Sequence, residues 1–131
     1  MFLSITFFNR RKKKKEEYRY LYIGPQPTVT TFYIKQKMTE KQIEQKLAKR
    51  VKALGGIALK LNPLGMDGIP DRLILLPKGI AFFVETKAPG KKPRALQVNR
   101  MKQLERLGFS CFLLDDDKQI DEVIKNGIRS S

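Results

Sequence analysis

Histidine and tryptophan are absent from all 131 residues, and there is a single cysteine. Without histidine there is no Ser-His-Asp triad, no histidine general base and no His-ligated zinc. The lone Cys111 excludes an internal disulfide, which suits a reducing compartment, and it lacks a histidine to activate it as a nucleophile. No apolar run approaches the roughly 20 residues that span a bilayer. The apolar opening, Met1 to Phe8, carries its charges behind it and shows no small-residue cleavage site, so it does not read as a secretory signal. An intracellular protein without membrane spans is expected. Nothing calls for an organic cofactor. Acid–base or metal chemistry must use carboxylates, lysines and backbone oxygens, which favour the hard cations Mg²⁺ or Mn²⁺. Negative charge is scarce as well: 13 Asp+Glu stand against 27 Lys+Arg, a net charge of +14. Such an excess usually marks a polyanion partner, most often nucleic acid, and otherwise a solubilising surface.

The length suits one domain, and the signals of an ordered one begin near residue 38. Residues 1–37 hold nine Lys and Arg against two acids, including the run Arg10 to Lys15. Tyr18, Tyr20 and Tyr22 follow, then Gly24-Pro-Gln-Pro27. A short strand is expected over Thr28–Ile34, but no periodicity gives this segment its own core. It reads as a flexible basic extension, as an arm gripping phosphates, or as a stretch ahead of a natural start at Met38.

From Thr39 onward the signals alternate. Thr39 and Gln42 form a capping box, Ile43, Leu47, Val51 and Leu54 mark one helical face, and Gly55-Gly56 ends the helix. Strands are expected at Ile57–Leu61, Arg72–Leu76 and Ile80–Lys87, with a Gly/Pro loop over 62–70 and a turn at Pro77-Lys-Gly79. A basic loop, Ala88 to Lys92, leads to Pro93 in the first turn of a helix running to Leu107, with Gly108 as its stop. Ser110–Leu114 is another strand, and Asp115-Asp-Asp117 opens a last helix to Lys125. The predicted fold is α/β: a small mixed sheet flanked by helices, in the order α-β-β-β-α-β-α.

If the turn is a three-residue loop, Leu76 pairs with Ile80 and Asp71 faces Glu85 across the hairpin. Directly opposed residues have Cβ atoms roughly 4.5–5.5 Å apart. Glu85 and Lys87 are two apart and share a face. Two adjacent carboxylates repel, and a divalent cation relieves that repulsion while activating water and stabilising charge on a phosphate. Lys87 is placed to orient that water or neutralise the transition state. The structural alternative is a salt bridge between Lys87 and a carboxylate. Glu44 edges the apolar stripe of its helix, about 100° from Ile43, so it needs a partner: the metal, its waters, or solvent at the border. Gln97 falls between Met101 and Leu104 on the apolar face of the second long helix and must find hydrogen bonds, at the site or within the fold. Lys60, Arg72, Lys91, Lys92 and Arg94 surround this face as candidate phosphate contacts, and each is otherwise a solvated charge.

Gly68-Ile-Pro-Asp-Arg72, Glu85-Thr-Lys87 and Gln97, with Glu44 in a preceding helix, resemble the PD-(D/E)XK nuclease superfamily. Within it, Gly55-Gly56, Lys60-Leu61 and the spacing resemble the VRR-NUC (virus-type replication–repair nuclease) family over residues 39–114. The resemblance implies a PD-(D/E)XK nuclease-like core, with Asp71, Glu85 and the Thr86 backbone carbonyl as metal ligands and Lys87 as the catalytic lysine. It implies that Glu44 coordinates or hydrogen-bonds at the metal and that Gln97 supports the site. Family members hydrolyse phosphodiester bonds in structured DNA such as flaps and four-way junctions, and short stand-alone members resemble phage proteins that act as homodimers. The rival expectation is a non-catalytic nucleic-acid-binding module, which explains the charge equally well but not the gathered carboxylates.

Overall fold

A two-stranded ribbon comes first in the computed structural model, which describes residues 18–20, 33–35, 37–62 and 65–131. Strand β1 (Tyr18–Tyr20) pairs antiparallel with β2 (Tyr33–Lys35), Arg19 opposite Ile34. The strand expected over Thr28–Ile34 is thus found at Tyr33–Lys35, and residues 28–32 lie outside the described residues, as does the run Arg10 to Lys15. The chain divides into two compact units, Met1–Lys37 and Met38–Ser131.

The second unit opens with helix α1 (Glu40–Ala53). Its capping box forms: the Thr39 hydroxyl accepts from the Gln42 N–H at 3.3 Å, and Gln42 Oε1 accepts from the Thr39 N–H at 2.8 Å. Two donors that the first turn would otherwise leave unpaired are satisfied this way. Three antiparallel strands follow in pairing, β3 (Ile57–Lys60), β4 (Arg72–Leu76) and β5 (Ile80–Thr86). Leu76 pairs with Ile80 across Pro77–Gly79, which fixes the hairpin register at that of a three-residue loop. Helix α2 (Ala95–Arg106) then crosses so that β6 (Ser110–Leu114) pairs parallel to β5. The sheet order is β3-β4-β5-β6, a mixed four-stranded sheet.

Alternation sorts the two faces of this sheet. Ile74 and Leu76 of β4 and Phe82 and Val84 of β5 point to one side and are buried. Ile43, Leu47 and Val51 of α1 and Ile120, Val123 and Ile124 of α3 (Ile120–Arg129) close over them as one core. Each such side chain contributes about 1.5–3 kcal/mol by leaving water. Leu73, Phe83 and Glu85 have the opposite parity and face the side of α2.

Several boundaries differ from expectation, those of the helices most. Helix α2 begins at Ala95, leaving Pro93 outside, because Gln97 Oε1 accepts the Arg94 N–H at 2.9 Å and makes Arg94 the extended cap residue. The acids 115–117 do not open α3. Asp116 Oδ1 instead accepts the Lys118 N–H at 3.0 Å and caps a short 3-10 turn, Asp117–Gln119. Helix α3 continues past Lys125 to Arg129, since its buried stripe runs Ile120, Val123, Ile124, Gly127. Gly127 is needed there: a Cβ would sit 2.4 Å from the Phe82 ring.

Candidate active site

The hairpin delivers Asp71 and Glu85 to each other. Arg72 pairs with Val84, so Asp71, one residue ahead of β4, meets Glu85. Their contact is direct: the Asp71 N–H donates to Glu85 Oε2 at 3.2 Å. The loop leading in is held by α2. Gly68 has φ +85° and lies so close that a Cβ would come within 2.8 Å of Leu96. Arg100 Nε donates to the Asp67 carbonyl at 3.0 Å, and Arg94 lies 3.5 Å from the Asp67 carboxylate.

Glu85 is fully buried, and so is its neighbour Thr86. Its Oε1 accepts from Lys87 Nζ and from Gln97 Nε2. Burial pushes the Glu85 carboxyl above the ordinary carboxylate range; the Lys87 hydrogen bond pulls it down, and the charge of Asp71 pushes it up again. Asp71 is braced from the other side. Its Oδ2 accepts from the Thr86 hydroxyl at 2.9 Å and from the Thr86 N–H at 3.2 Å. Asp71, Glu85, Lys87 and Gln97 thus form one hydrogen-bonded group.

Glu44 belongs to a second network. It is buried, and its Oε1 meets Arg72 Nε at 2.8 Å, Arg72 Nη2 at 2.7 Å and Lys60 Nζ at 3.2 Å. Arg72 Nη1 donates to the Ala58 carbonyl at 2.9 Å, so its side chain is only 16% exposed. Of the basic residues expected around the face, Arg72 is therefore held inside the protein, while Lys60, Lys91, Lys92 and Arg94 are exposed. Lys60 and Arg72 share an open cleft of about 530 Å³ with Lys41. Among the described residues, no three His, Cys, Asp or Glu side chains converge as a metal centre, so the carboxylates that do meet are two.

Sequence reasoning missed the Thr86 side chain. Strand alternation assigns it to the face opposite Glu85, yet Asp71, one residue ahead of β4, reaches it through Oδ2. The Glu44–Arg72 pair was also missed, although a border carboxylate in α1 and an arginine beside the motif aspartate were both visible signals.

No family model matches the chain. A protein named "Putative nuclease p44" from Acyrthosiphon pisum secondary endosymbiont phage 1 is 45% identical over 76 residues, 58% of this chain and 82% of that protein. A solved structure described as a "VRR_NUC domain" superposes with a TM-score of 0.62 at 32% identity, covering 67% of this chain and 97% of the other. The chain belongs to the VRR-NUC family of nucleases. Its four-stranded mixed sheet and three helices are the fold of a VRR-NUC nuclease. No helix among the described residues is long and apolar enough to cross a membrane.

Proposed function

We propose that this VRR-NUC protein is a nuclease that hydrolyses DNA phosphodiester bonds with a divalent cation, Mg²⁺ or Mn²⁺. The observation that carries this reading is the contact of Asp71 with Glu85, whose carboxylate also holds Lys87 and Gln97, in a chain of net charge +14. The donor set fits a hard cation. Two carboxylates are offset by one lysine, Glu85 has no solvent of its own, and all available donors are oxygens. Asp71 and Glu85 would hold the ion, with the Thr86 carbonyl as a further ligand. The ion would lower the pKa of a water and offset charge on the phosphate.

The chain's own residues supply the rest. Gln97 and Lys87 fix the Glu85 carboxylate, and Lys87 brings positive charge to where the pentavalent phosphorus develops negative charge. Lys60, Lys91, Lys92 and Arg94 offer exposed cations for the DNA backbone, a contact that sets position more than sequence. Arg72 serves through its hold on Glu44. In this reading the protein works inside the cell, on structured DNA such as flaps or junctions in replication, repair or recombination, and as a homodimer; these finer points rest on the family resemblance.

The test is cleavage of flap, junction, single-strand and duplex DNAs by purified protein with Mg²⁺ or Mn²⁺, with a chelator control. Asp71→Ala and Lys87→Ala should each abolish cleavage while DNA binding is largely kept. Full activity in Asp71→Ala would overturn the assignment, and binding without cleavage by the unaltered protein would favour the non-catalytic module. Light scattering on the same samples gives the oligomeric state.

A further inference from the structure

Both hydrogen bonds that Asp71 Oδ2 accepts come from a single residue. Thr86 is fully buried, and its N–H and its hydroxyl converge on this one oxygen at 3.2 and 2.9 Å. The Asp71 backbone is held, its carbonyl accepting from the Leu61 N–H at 2.8 Å and its N–H donating to Glu85 Oε2, but neither bond sets the side-chain torsion. The terminal torsion of an aspartate is broad, and an unbraced carboxylate samples many orientations. Asp71 Oδ1 takes no hydrogen bond among the described residues, which leaves it as the free donor oxygen.

We propose that the Thr86 hydroxyl is a positioning residue for Asp71: by holding Oδ2 it locks the carboxylate and presents Oδ1 to the cation. This rests on the metal-dependent reading above. The backbone N–H at position 86 survives every substitution but proline, so the hydroxyl is the part that sequence can vary. Its bond is also the shorter of the two. A ligand held by an outer partner binds metal better because its orientation is set before the ion arrives, and loss of such a partner typically costs about 10- to 100-fold in metal affinity.

The experiment uses the full chain and Mn²⁺ alone, without DNA. Melting temperature is followed against Mn²⁺ concentration for the unaltered protein, Asp71→Ala, Thr86→Val, Thr86→Ala and Thr86→Ser. The expected result is ordered by the hydroxyl and not by size. Val and Ala should need about 10- to 100-fold more Mn²⁺ to reach the half-maximal shift, while Ser stays close to the unaltered protein. A purely structural role would move the metal-free melting temperature and leave the Mn²⁺ midpoint in place. An unchanged midpoint in Thr86→Val overturns the proposal, and so does a Ser variant that falls with Ala. If Thr86→Val does not fold, the Ala and Ser pair decides by the same criterion. No Mn²⁺ shift in the unaltered protein, or one that persists in Asp71→Ala, overturns the metal reading and the proposal with it.

Discussion

Glu44→Leu removes one partner of an ion pair that has lost most of its water. The side chains of Glu44 and Arg72 are 11% and 16% exposed, and the guanidinium approaches Glu44 Oε1 through two nitrogens. With leucine there, Arg72 keeps the Ala58 carbonyl but loses its counter-charge, and Lys60 leaves a second positive charge nearby. Breaking a buried pair from one side costs about 3–5 kcal/mol. Residual hydration of Arg72 and the fit of leucine against the apolar stripe of α1 reduce this to about 2–3 kcal/mol. For a domain of this size that lowers the melting temperature by about 10–20 °C. Circular dichroism melts of Glu44→Leu, Arg72→Met and the double variant read the effect. The double variant should recover much of the loss, because neither charge is left alone. A loss under about 0.5 kcal/mol in Glu44→Leu, or strict additivity in the double variant, would refute the reasoning.

Gly127→Ala places a methyl where the Phe82 ring lies, with three ring atoms at 2.4–2.6 Å. Phe112 packs edge-on against that ring at 5.6 Å between centroids, so it has little room to yield. The gain in helix propensity, about 1 kcal/mol, should be outweighed, for a net loss of about 1–2 kcal/mol in urea denaturation; a more stable variant would contradict the packing. The Lys46–Asp117 bridge, 2.5 Å, holds the Asp117 carboxyl below its usual range, chiefly through the Lys46 hydrogen bond. A depressed carboxyl stabilises the fold above its unfolded pKa and loses that contribution as pH falls through the folded value. Lys46→Met should therefore melt slightly lower than the unaltered protein near neutral pH, by at most about 1 kcal/mol for so exposed a pair. The gap should narrow as pH falls from 3.8, the ordinary Asp value, and close below the depressed folded value; a gap that does not narrow below 3.8 would refute the assignment.

Much of this was readable without coordinates because the decisive features are local. The Thr39–Gln42 capping box lies within four residues, and the loop length between Leu76 and Ile80 dictates which residues oppose each other. Strand parity then places Glu85 and Lys87 on one side. What stayed hidden depends on long-range packing. A carboxylate at the edge of an apolar stripe signals that Glu44 needs a partner, yet only the fold brings Arg72, 28 residues away, to it. The Thr86 hydroxyl drew no notice because parity within β5 turns it away from Glu85, while Asp71, just ahead of β4, reaches it through Oδ2. The start of α2 was misplaced by two residues because proline preference marks a first turn, while here a glutamine side chain sets the cap.

Gln97 has a consequence of its own. Its Oε1 terminates the hydrogen bonding at the start of α2, and its Nε2 grips Glu85. One amide therefore joins the start of a helix to a buried carboxylate. The basic loop carrying Lys91 and Lys92 runs straight into that helix end, so tension applied to the loop by a bound polyanion would arrive at Glu85 through a rigid planar group. Slow hydrogen exchange of the Arg94 amide would then serve as a gauge of how firmly the interior is held, read from a surface proton.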